Sequence, residues 1–297
     1  MDPPWPKLRQ KVVRSTEYSD DLEIDAQDWK ISLSHAQTDE EALEIVQKAD
    51  FFSQSAKSFI ILTDVSPELG SELLNLLDER YPRVRKGFFL EDREVTLKMP
   101  SYTHDAPHMW LHQQLTKWEH DGLLTGRENL RLLLGSSPKV TCVYPPFVGS
   151  SKEPDTFICP RGLPLAKRSH PTVVIEVGMS QSHASLKRDA KLWLEGVGTN
   201  VKKVLIVKFF TTRPGVKGNL EKWGRDTTGL AQLEFSNHIF PVRGPFERPV
   251  YLKREDLFNS VVEAGCDGAD HLPLDIHSLR DIICESGLEV QGLQPAV

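Results

Sequence analysis

The sequence lacks long hydrophobic runs and paired cysteines. Among its 297 residues, no run reaches the roughly eighteen apolar residues that a transmembrane helix needs. The opening MDPPWPKLRQ contains no apolar core of the kind that signal peptides have. The four cysteines lie far apart without a CxxC pair, so neither a zinc knuckle nor a dense disulfide framework is expected. These absences predict an intracellular protein, cytoplasmic or nuclear, that does not bind a membrane.

The chain also lacks an overall excess of basic residues. Its net charge is -6, which excludes a generally basic nucleic-acid-binding protein. The charge is unevenly distributed, because residues 1–50 hold 12 acids and 6 bases whereas residues 185–225 hold 10 bases and 3 acids. The second stretch either places a positive field beside a site that handles phosphates or forms an ordinary solvated surface.

Three regions follow one another along the chain. Residues 1–95 are predicted to be mainly helical, because Thr38 stands three residues before a glutamate and Ser66 precedes Pro-Glu, both of which are signals for the start of a helix. Residues 96–260 are predicted to form an α/β core with a β extension. Residues 261–297 are predicted to be a C-terminal tail with one short amphipathic helix, DIHSLRDIICESG.

The α/β core is predicted from short β-branched or aromatic runs bounded by Pro, Gly or Ser. These runs are KVTCVY, TFIC, TVVIEV and VLIVKF, and FFLEDREVTLK before them is typical of a hairpin. A helix over residues 184–195 joins the last two strands, which implies parallel pairing and a right-handed crossover. Its apolar positions fall on one stripe that faces the sheet: Leu186, Ala190, Trp193 and Leu194. A second helix, starting near Asp105, precedes the strands.

Two carboxylates accompany neighbouring strands of this core. Asp155 follows Pro154 at the start of TFIC, and Glu176 lies within TVVIEV. Carboxylates at neighbouring strand positions offer oxygen ligands to a hard divalent cation, which can orient water and stabilise charge on a phosphodiester. The pattern therefore predicts a site for Mg²⁺ or Mn²⁺ that cleaves nucleic-acid strands.

The order of these segments resembles that of the PD-(D/E)XK nuclease superfamily. The resemblance is carried by KEPDTFICP, PTVVIEVGMSQS, LKRDAKLWLEGVG and KVLIVKF, and it covers roughly residues 97–210. It is closest to restriction-endonuclease-like families of bacteria and their fungal relatives. The resemblance implies a restriction-endonuclease-like mixed central sheet flanked by helices, with a helical N-terminal region and a β-rich C-terminal extension. It also implies an endonuclease that acts on nucleic acid, in the first place DNA, and a homodimer, since many related nucleases work as dimers.

The resemblance assigns roles to individual residues. Asp155 matches the PD aspartate and Glu176 the glutamate of the third motif, and both are metal ligands in the superfamily. Glu119, the only acid late in the helix before the sheet, stands where a further acid often completes such metal sites, although it could simply face water. His104, His108 and His112 share one face of the same helix, which leaves open either a zinc site or an ordinary histidine edge.

One position departs from the family pattern. Two residues after the glutamate the superfamily usually has a lysine that positions or activates water, whereas this chain has Gly178. Some members move the basic group onto the following helix, where Lys187 and Lys191 are the available substitutes. Gln181 is a third candidate, as a polar side chain that holds water. The missing lysine equally favours the alternative of a degenerate nuclease scaffold that binds nucleic acid or protein without cleavage.

Overall fold

The computed structural model describes residues 25–49, 58–136, 138–161, 171–212, 215–242, 249–289 and 292–296. The described chain is an α/β protein with two six-stranded mixed sheets and a separate two-stranded sheet. None of its described helices combines the length and the apolar character needed to cross a bilayer.

The first sheet, termed here the N-terminal sheet, is built mostly from residues before 100. Its strands are β1 (Lys30–Ser32), β2 (Phe59–Thr63), β3 (Arg85–Phe89), β4 (Glu94–Lys98), β6 (Val140–Thr141) and β7 (Ser151–Lys152). They are ordered β1-β2-β4-β3-β7-β6, and only β1 and β2 pair in parallel. Helices α1 (Asp39–Lys48) and α2 (Pro67–Arg80) share an apolar core with this sheet.

The expectation of a mainly helical N-terminal region is corrected by this sheet. Both helix starts are confirmed, since the Thr38 hydroxyl accepts a hydrogen bond from the backbone N–H of Glu41 and the Ser66 hydroxyl accepts one from Leu69. The strand β2 was missed, however. Its sequence FIILT is apolar at consecutive positions and almost wholly buried, as in a central strand covered on both faces.

The second sheet, termed the C-terminal sheet, contains the three strands predicted around the paired acids. Its strands are β5 (Leu132–Gly135), β8 (Thr156–Pro160), β9 (Val173–Gly178), β10 (Lys203–Thr212), β11 (Gly215–Arg225) and β12 (Ala231–Phe240). They are ordered β12-β11-β10-β9-β8-β5, and only β9 and β10 pair in parallel. The predicted adjacency of TFIC, TVVIEV and VLIVKF is confirmed. The region predicted as a β extension contributes β11 and β12 to this main sheet.

The crossover between β9 and β10 is the predicted helix. It consists of α5 (His183–Lys191), which continues as a π-helical turn (Leu192–Gly196). The predicted apolar stripe of this helix is fully buried: Leu186, Ala190, Trp193 and Leu194. Burial of these side chains against β9 and β10 fixes the orientation of α5, and with it the direction in which its polar side chains point.

The remaining elements close the other face of the C-terminal sheet. They are α3 (Tyr102–His120), α4 (Gly126–Leu130), α6 (Arg254–Phe258), α7 (Ile276–Ile282) and the hairpin of β13 (Val250–Lys253) with β14 (His271–Leu274). The C-terminal helix was predicted, and it packs firmly on α3. The indole N–H groups of Trp110 and Trp118 donate hydrogen bonds to the carbonyls of Asp275 and Pro273 at 2.8 and 2.7 Å.

Candidate active site

Two buried carboxylates meet where β8 and β9 begin to pair. Asp155 precedes β8, and the antiparallel register that pairs Thr156 with Ile175 continues to place Asp155 opposite Glu176. Both side chains are buried, with 1% and 0% of their surface exposed. Oδ2 of Asp155 also accepts a hydrogen bond from the backbone N–H of Val177 at 2.8 Å. The two acids singled out in the sequence therefore share one site.

A lysine from the other sheet joins the two acids. Nζ of Lys98, the last residue of β4, lies 2.8 Å from Oδ2 of Asp155 and 3.3 Å from Oε2 of Glu176. The same ammonium donates to the Val177 carbonyl at 3.1 Å. Because one nitrogen contacts both carboxylate oxygens at these distances, the two oxygens are no more than about 6 Å apart, and the ammonium occupies the space between them.

Two further cations and a third acid complete the charge cluster. Nε of Arg85 lies 3.2 Å from Oδ1 of Asp155. Nζ of Lys152 lies 3.8 Å from Oε2 of Glu176 and 3.1 Å from Oδ2 of Asp189. All of these side chains are buried. The cluster thus contains three acids and three bases, an arrangement that limits the penalty for burying charge because each ion has an opposite partner.

Neutral groups satisfy part of the remaining polar surface. The Trp193 indole N–H donates to Oε1 of Glu176 at 2.7 Å, and Nε2 of Gln181 donates to Oδ2 of Asp189 at 2.7 Å. Three buried oxygens make no hydrogen bond: Oδ1 of Asp155, Oδ1 of Asp189 and Oε1 of Gln181. Gln181, predicted from its position after β9, therefore borders the cluster through Asp189.

The surroundings shift the proton affinities of the acids in opposite directions. Burial raises the pKa of Glu176 to about 7 and outweighs the attraction of Lys152 and Lys98. Burial also disfavours the charge of Asp155, but Lys98 and Arg85 overcome it and hold the pKa of that carboxyl below its usual range. Burial likewise opposes the charge of Lys152, yet Asp189 and Glu176 raise its pKa. Glu176 is the acid that changes charge most readily near neutral pH.

The other residues predicted for the site lie elsewhere. Among ion pairs of the described residues, none joins Lys187 or Lys191 to Asp155 or Glu176. Lys187 is half-buried and Lys191 is exposed, because the face of α5 turned toward the sheet carries Asp189. Glu119 is exposed near the end of α3, where its carboxylate accepts a hydrogen bond from Asn129.

The length of α3 also separates Glu119 from the cluster. The α3 residue beside the cluster is His104, whose pKa burial lowers to about 4 while the Asp155 charge opposes that shift. His104 and Glu119 stand fifteen positions apart in the helix, a distance of roughly 22 Å along the axis. The three histidines predicted to share one face of α3 do not converge, since His104 is buried and bonded to Ser101 at 2.8 Å whereas His112 is exposed.

The residues missed in the sequence are Arg85, Lys98, Lys152 and Asp189. Asp189 had a detectable signal, because it stands three residues after Leu186 and so falls on the buried stripe of α5. Lys152 stands three residues before Asp155, although nothing in the sequence indicates that it turns inward. Lys98 lies 57 and 78 residues from its two acidic partners. No local pattern predicts a contact over such separations.

At least five of the ten bases in residues 185–225 are bound by acids outside this stretch or by backbone carbonyls. Arg188 pairs with Glu94, Lys203 and Lys222 both pair with Glu234, and Lys208 pairs with Asp25. Arg225 donates to three backbone carbonyls. The positive field expected from the composition is therefore reduced by neighbouring acids and carbonyls.

The donor set of the cluster consists of oxygens rather than sulfur or imidazole. Within the part of the chain that the structure describes, no three His, Cys, Asp or Glu side chains form a group suited to holding a metal ion. A cation at this site would consequently use the Val177 carbonyl together with the carboxylates of Asp155 and Glu176. No protein-family model matches this sequence, and a search of curated proteins finds no similar sequence.

Proposed function

We propose that the chain is a Mg²⁺- or Mn²⁺-dependent nuclease of restriction-endonuclease-like fold that hydrolyses phosphodiester bonds in nucleic acid, with DNA as the expected substrate. The observation that carries the proposal is the convergence of three oxygens on one cationic position. These oxygens belong to Asp155, Glu176 and the Val177 carbonyl, and they lie 2.8 to 3.3 Å from Lys98 Nζ. Carboxylate and carbonyl oxygens are the ligands that Mg²⁺ and Mn²⁺ prefer.

The residues present fit such an ion by donor chemistry. Oδ1 of Asp155 makes no hydrogen bond and lies beside Arg85, so this carboxylate retains acceptor capacity. The ion would be held by Asp155, Glu176 and the Val177 carbonyl. When bound, it supplies a Lewis acid that lowers the pKa of water and stabilises negative charge on the phosphoryl oxygens.

Lys98 supports the proposal as a spatial replacement for the lysine missing at Gly178. Its ammonium contacts both motif acids, although it comes from a different strand of a different sheet. Because all three of its protein contacts lie where the ligand oxygens converge, the ammonium has to withdraw from at least one of them when an ion binds. The N–H that is released is then available to a phosphate oxygen or to the attacking water.

A second candidate function is favoured by the completeness of the ion pairing. The three acids and three bases are each less than a tenth exposed, and each has an oppositely charged partner without any added ion. A cluster of that kind is also suited to a degenerate nuclease scaffold, in which the charges hold two sheets together and the protein binds nucleic acid or another protein. A homodimer stays a prediction from the family resemblance.

Cleavage of supercoiled plasmid DNA separates the two candidates. With Mg²⁺ or Mn²⁺ we expect nicking by the wild type and its loss in Asp155→Asn, whereas Asp281→Asn, an exposed aspartate on α7, should cleave normally. Melting curves give a second readout. Mg²⁺ should raise the Tm of the wild type, because a ligand that binds only the folded protein stabilises it, and should change Glu176→Gln much less. Absence of cleavage together with equal Mg²⁺ shifts in both proteins would establish the degenerate scaffold.

A further inference from the structure

A second charged contact lies at the N-terminus of α5, beside the candidate active site. There two carboxylates from the segment 25–28, here termed the acidic segment, are bound by groups about 155 residues further along the chain. Oδ1 of Asp28 accepts from the backbone N–H of Ser182 at 2.7 Å, and its Oδ2 accepts from the Ser182 hydroxyl at 2.6 Å. Oδ2 of Asp25 accepts from the backbone N–H of His183 at 2.9 Å.

A buried ammonium on β10 binds one of these two carboxylates. Nζ of Lys208, on β10, lies 3.1 Å from Oδ1 of Asp25, and the Lys208 side chain is completely buried. It also donates to the carbonyls of Gln181 at 2.8 Å and Met179 at 3.5 Å and lies 4.9 Å from the centre of the Phe210 ring. A lysine in the interior requires an anion beside it, since an unpaired buried charge is strongly unfavourable. The acidic segment supplies that anion.

The donors at this place are those that bind phosphate groups in proteins. Two consecutive backbone N–H groups at a helix N-terminus, a hydroxyl and an ammonium bind two carboxylates here, Ser182 that of Asp28 and both His183 and Lys208 that of Asp25, and the helix dipole adds to their attraction. One acid lies nearby, Glu221, but it is engaged by His183 at 2.9 Å and by the Trp223 indole N–H at 2.8 Å. The two aspartates therefore occupy a position that suits a phosphate.

Gln181 connects this anion-binding position to the charge cluster of the candidate active site. The Gln181 carbonyl binds Lys208, while the Gln181 side chain binds Asp189 of the cluster. The Asp25 side chain is more accessible to solvent than the Lys208 side chain that binds it, because Asp25 is 39% exposed whereas Lys208 is 0% exposed. The acidic segment is held at this site by hydrogen bonds and ion pairs, and another anion can form these contacts in its place.

We propose that the N-terminus of α5, with Ser182, His183 and Lys208, is a phosphate-binding site that the acidic segment keeps closed by placing Asp25 and Asp28 where the phosphate binds. Opening of the segment exposes the site, so the apparent affinity for phosphate is reduced by the fraction of molecules that are closed. If the ligand is a second phosphate of a nucleic-acid substrate, the inference rests on the proposed function. Binding of an anion to this site is measured without any cleavage.

The test uses the full chain with Asp25→Asn and Asp28→Asn combined, in buffer containing EDTA. Asparagine keeps the size and one acceptor oxygen of each side chain but removes the charge that attracts Lys208. We expect the Kd for orthophosphate, measured by calorimetry, to fall by about tenfold or more. Adding Lys208→Met should abolish that gain. Glu68→Gln with Glu72→Gln, two exposed acids on α2, is the control that changes net charge equally.

A second titration uses a single-stranded oligonucleotide that has internal phosphodiesters but no terminal phosphate. A gain for both ligands assigns the site to the nucleic-acid backbone, and a gain for orthophosphate alone assigns it to free or terminal phosphate. The proposal is overturned if the double variant binds both ligands as the wild type does, or if the control gains equally. Should the double variant unfold, the single Asp25→Asn variant keeps the Asp28 contacts at the start of α5 and should show a smaller gain of the same sign.

Discussion

The two six-stranded sheets contribute opposite charges to the candidate active site. The N-terminal sheet provides its three bases, Arg85 from β3, Lys98 from β4 and Lys152 from β7. The C-terminal sheet and its crossover helix provide the acids, Asp155, Glu176 and Asp189. The site is thus the contact between the two sheets where their opposite charges meet, termed here the seam. Neither sheet alone could bury its charged side chains without a large free-energy penalty.

Gly178 on β9 stands where the PD-(D/E)XK pattern has a lysine. A Cβ there would lie 2.5 Å from the Leu186 side chain of α5, so a larger residue would require Leu186 to move. The bases beside Glu176 come from the opposite sheet.

The largest effect is expected from a variant that tests whether the N-terminal sheet takes part in catalysis. Lys98→Met keeps the length of the side chain but removes its charge, and we expect plasmid cleavage to fall by about a hundredfold or more, as when a group that stabilises transition-state charge is removed. Lys191→Met, on the exposed face of α5, should cleave within about twofold of the wild type. Lys48→Met on α1 is the control for loss of an exposed lysine. Full plasmid cleavage by Lys98→Met would show that the N-terminal sheet has only a structural role.

The next effect concerns stability at the seam. Lys98→Met should lower the free energy of unfolding by roughly 3–5 kcal/mol, because it leaves buried carboxylates without their shared cation. Asp155→Asn should also destabilise the protein, but the double variant should lose about 1–3 kcal/mol less than the sum of the two single losses. Urea denaturation of the four proteins measures this coupling. Strictly additive losses would mean that the two side chains do not depend on each other.

The smallest effect is the pH dependence of Glu176. Since its pKa rises from 4.5 in the unfolded chain to about 7 in the fold, its contribution to stability is complete below about pH 4.5 and is lost as pH rises through 7. Each pKa unit corresponds to about 1.4 kcal/mol, so Glu176→Gln should gain about 3 kcal/mol relative to the wild type between pH 4.5 and 8. Denaturation at several pH values measures the gain.

A matched variant controls for general effects of removing an acid. Glu72→Gln, on the exposed face of α2, removes an acid outside the charge cluster and is measured over the same pH range. A difference between Glu176→Gln and the wild type that does not change with pH would show that the pKa of Glu176 is the same in the folded and the unfolded chain, against the expected shift.

Much of the local structure was readable from the sequence because its signals are local. The cap at Thr38, the cap at Ser66 and the buried stripe of α5 each depend on residues within a few positions of one another. Strand β2 was not recognised, since a short apolar run does not by itself reveal its partner strands. The region boundary predicted between residues 95 and 96 falls inside β4, the strand that carries Lys98.

The sequence by itself determined two of the three acids of the site. Asp155 and Glu176 flank short strands that pair as neighbours along the chain, so their proximity follows from strand order alone. Only the tertiary structure decided the basic half. Lys98 reaches the acids through the pairing of distant strands and the packing of two sheets, and such contacts depend on the total burial of both sheets rather than on any sequence pattern near the lysine.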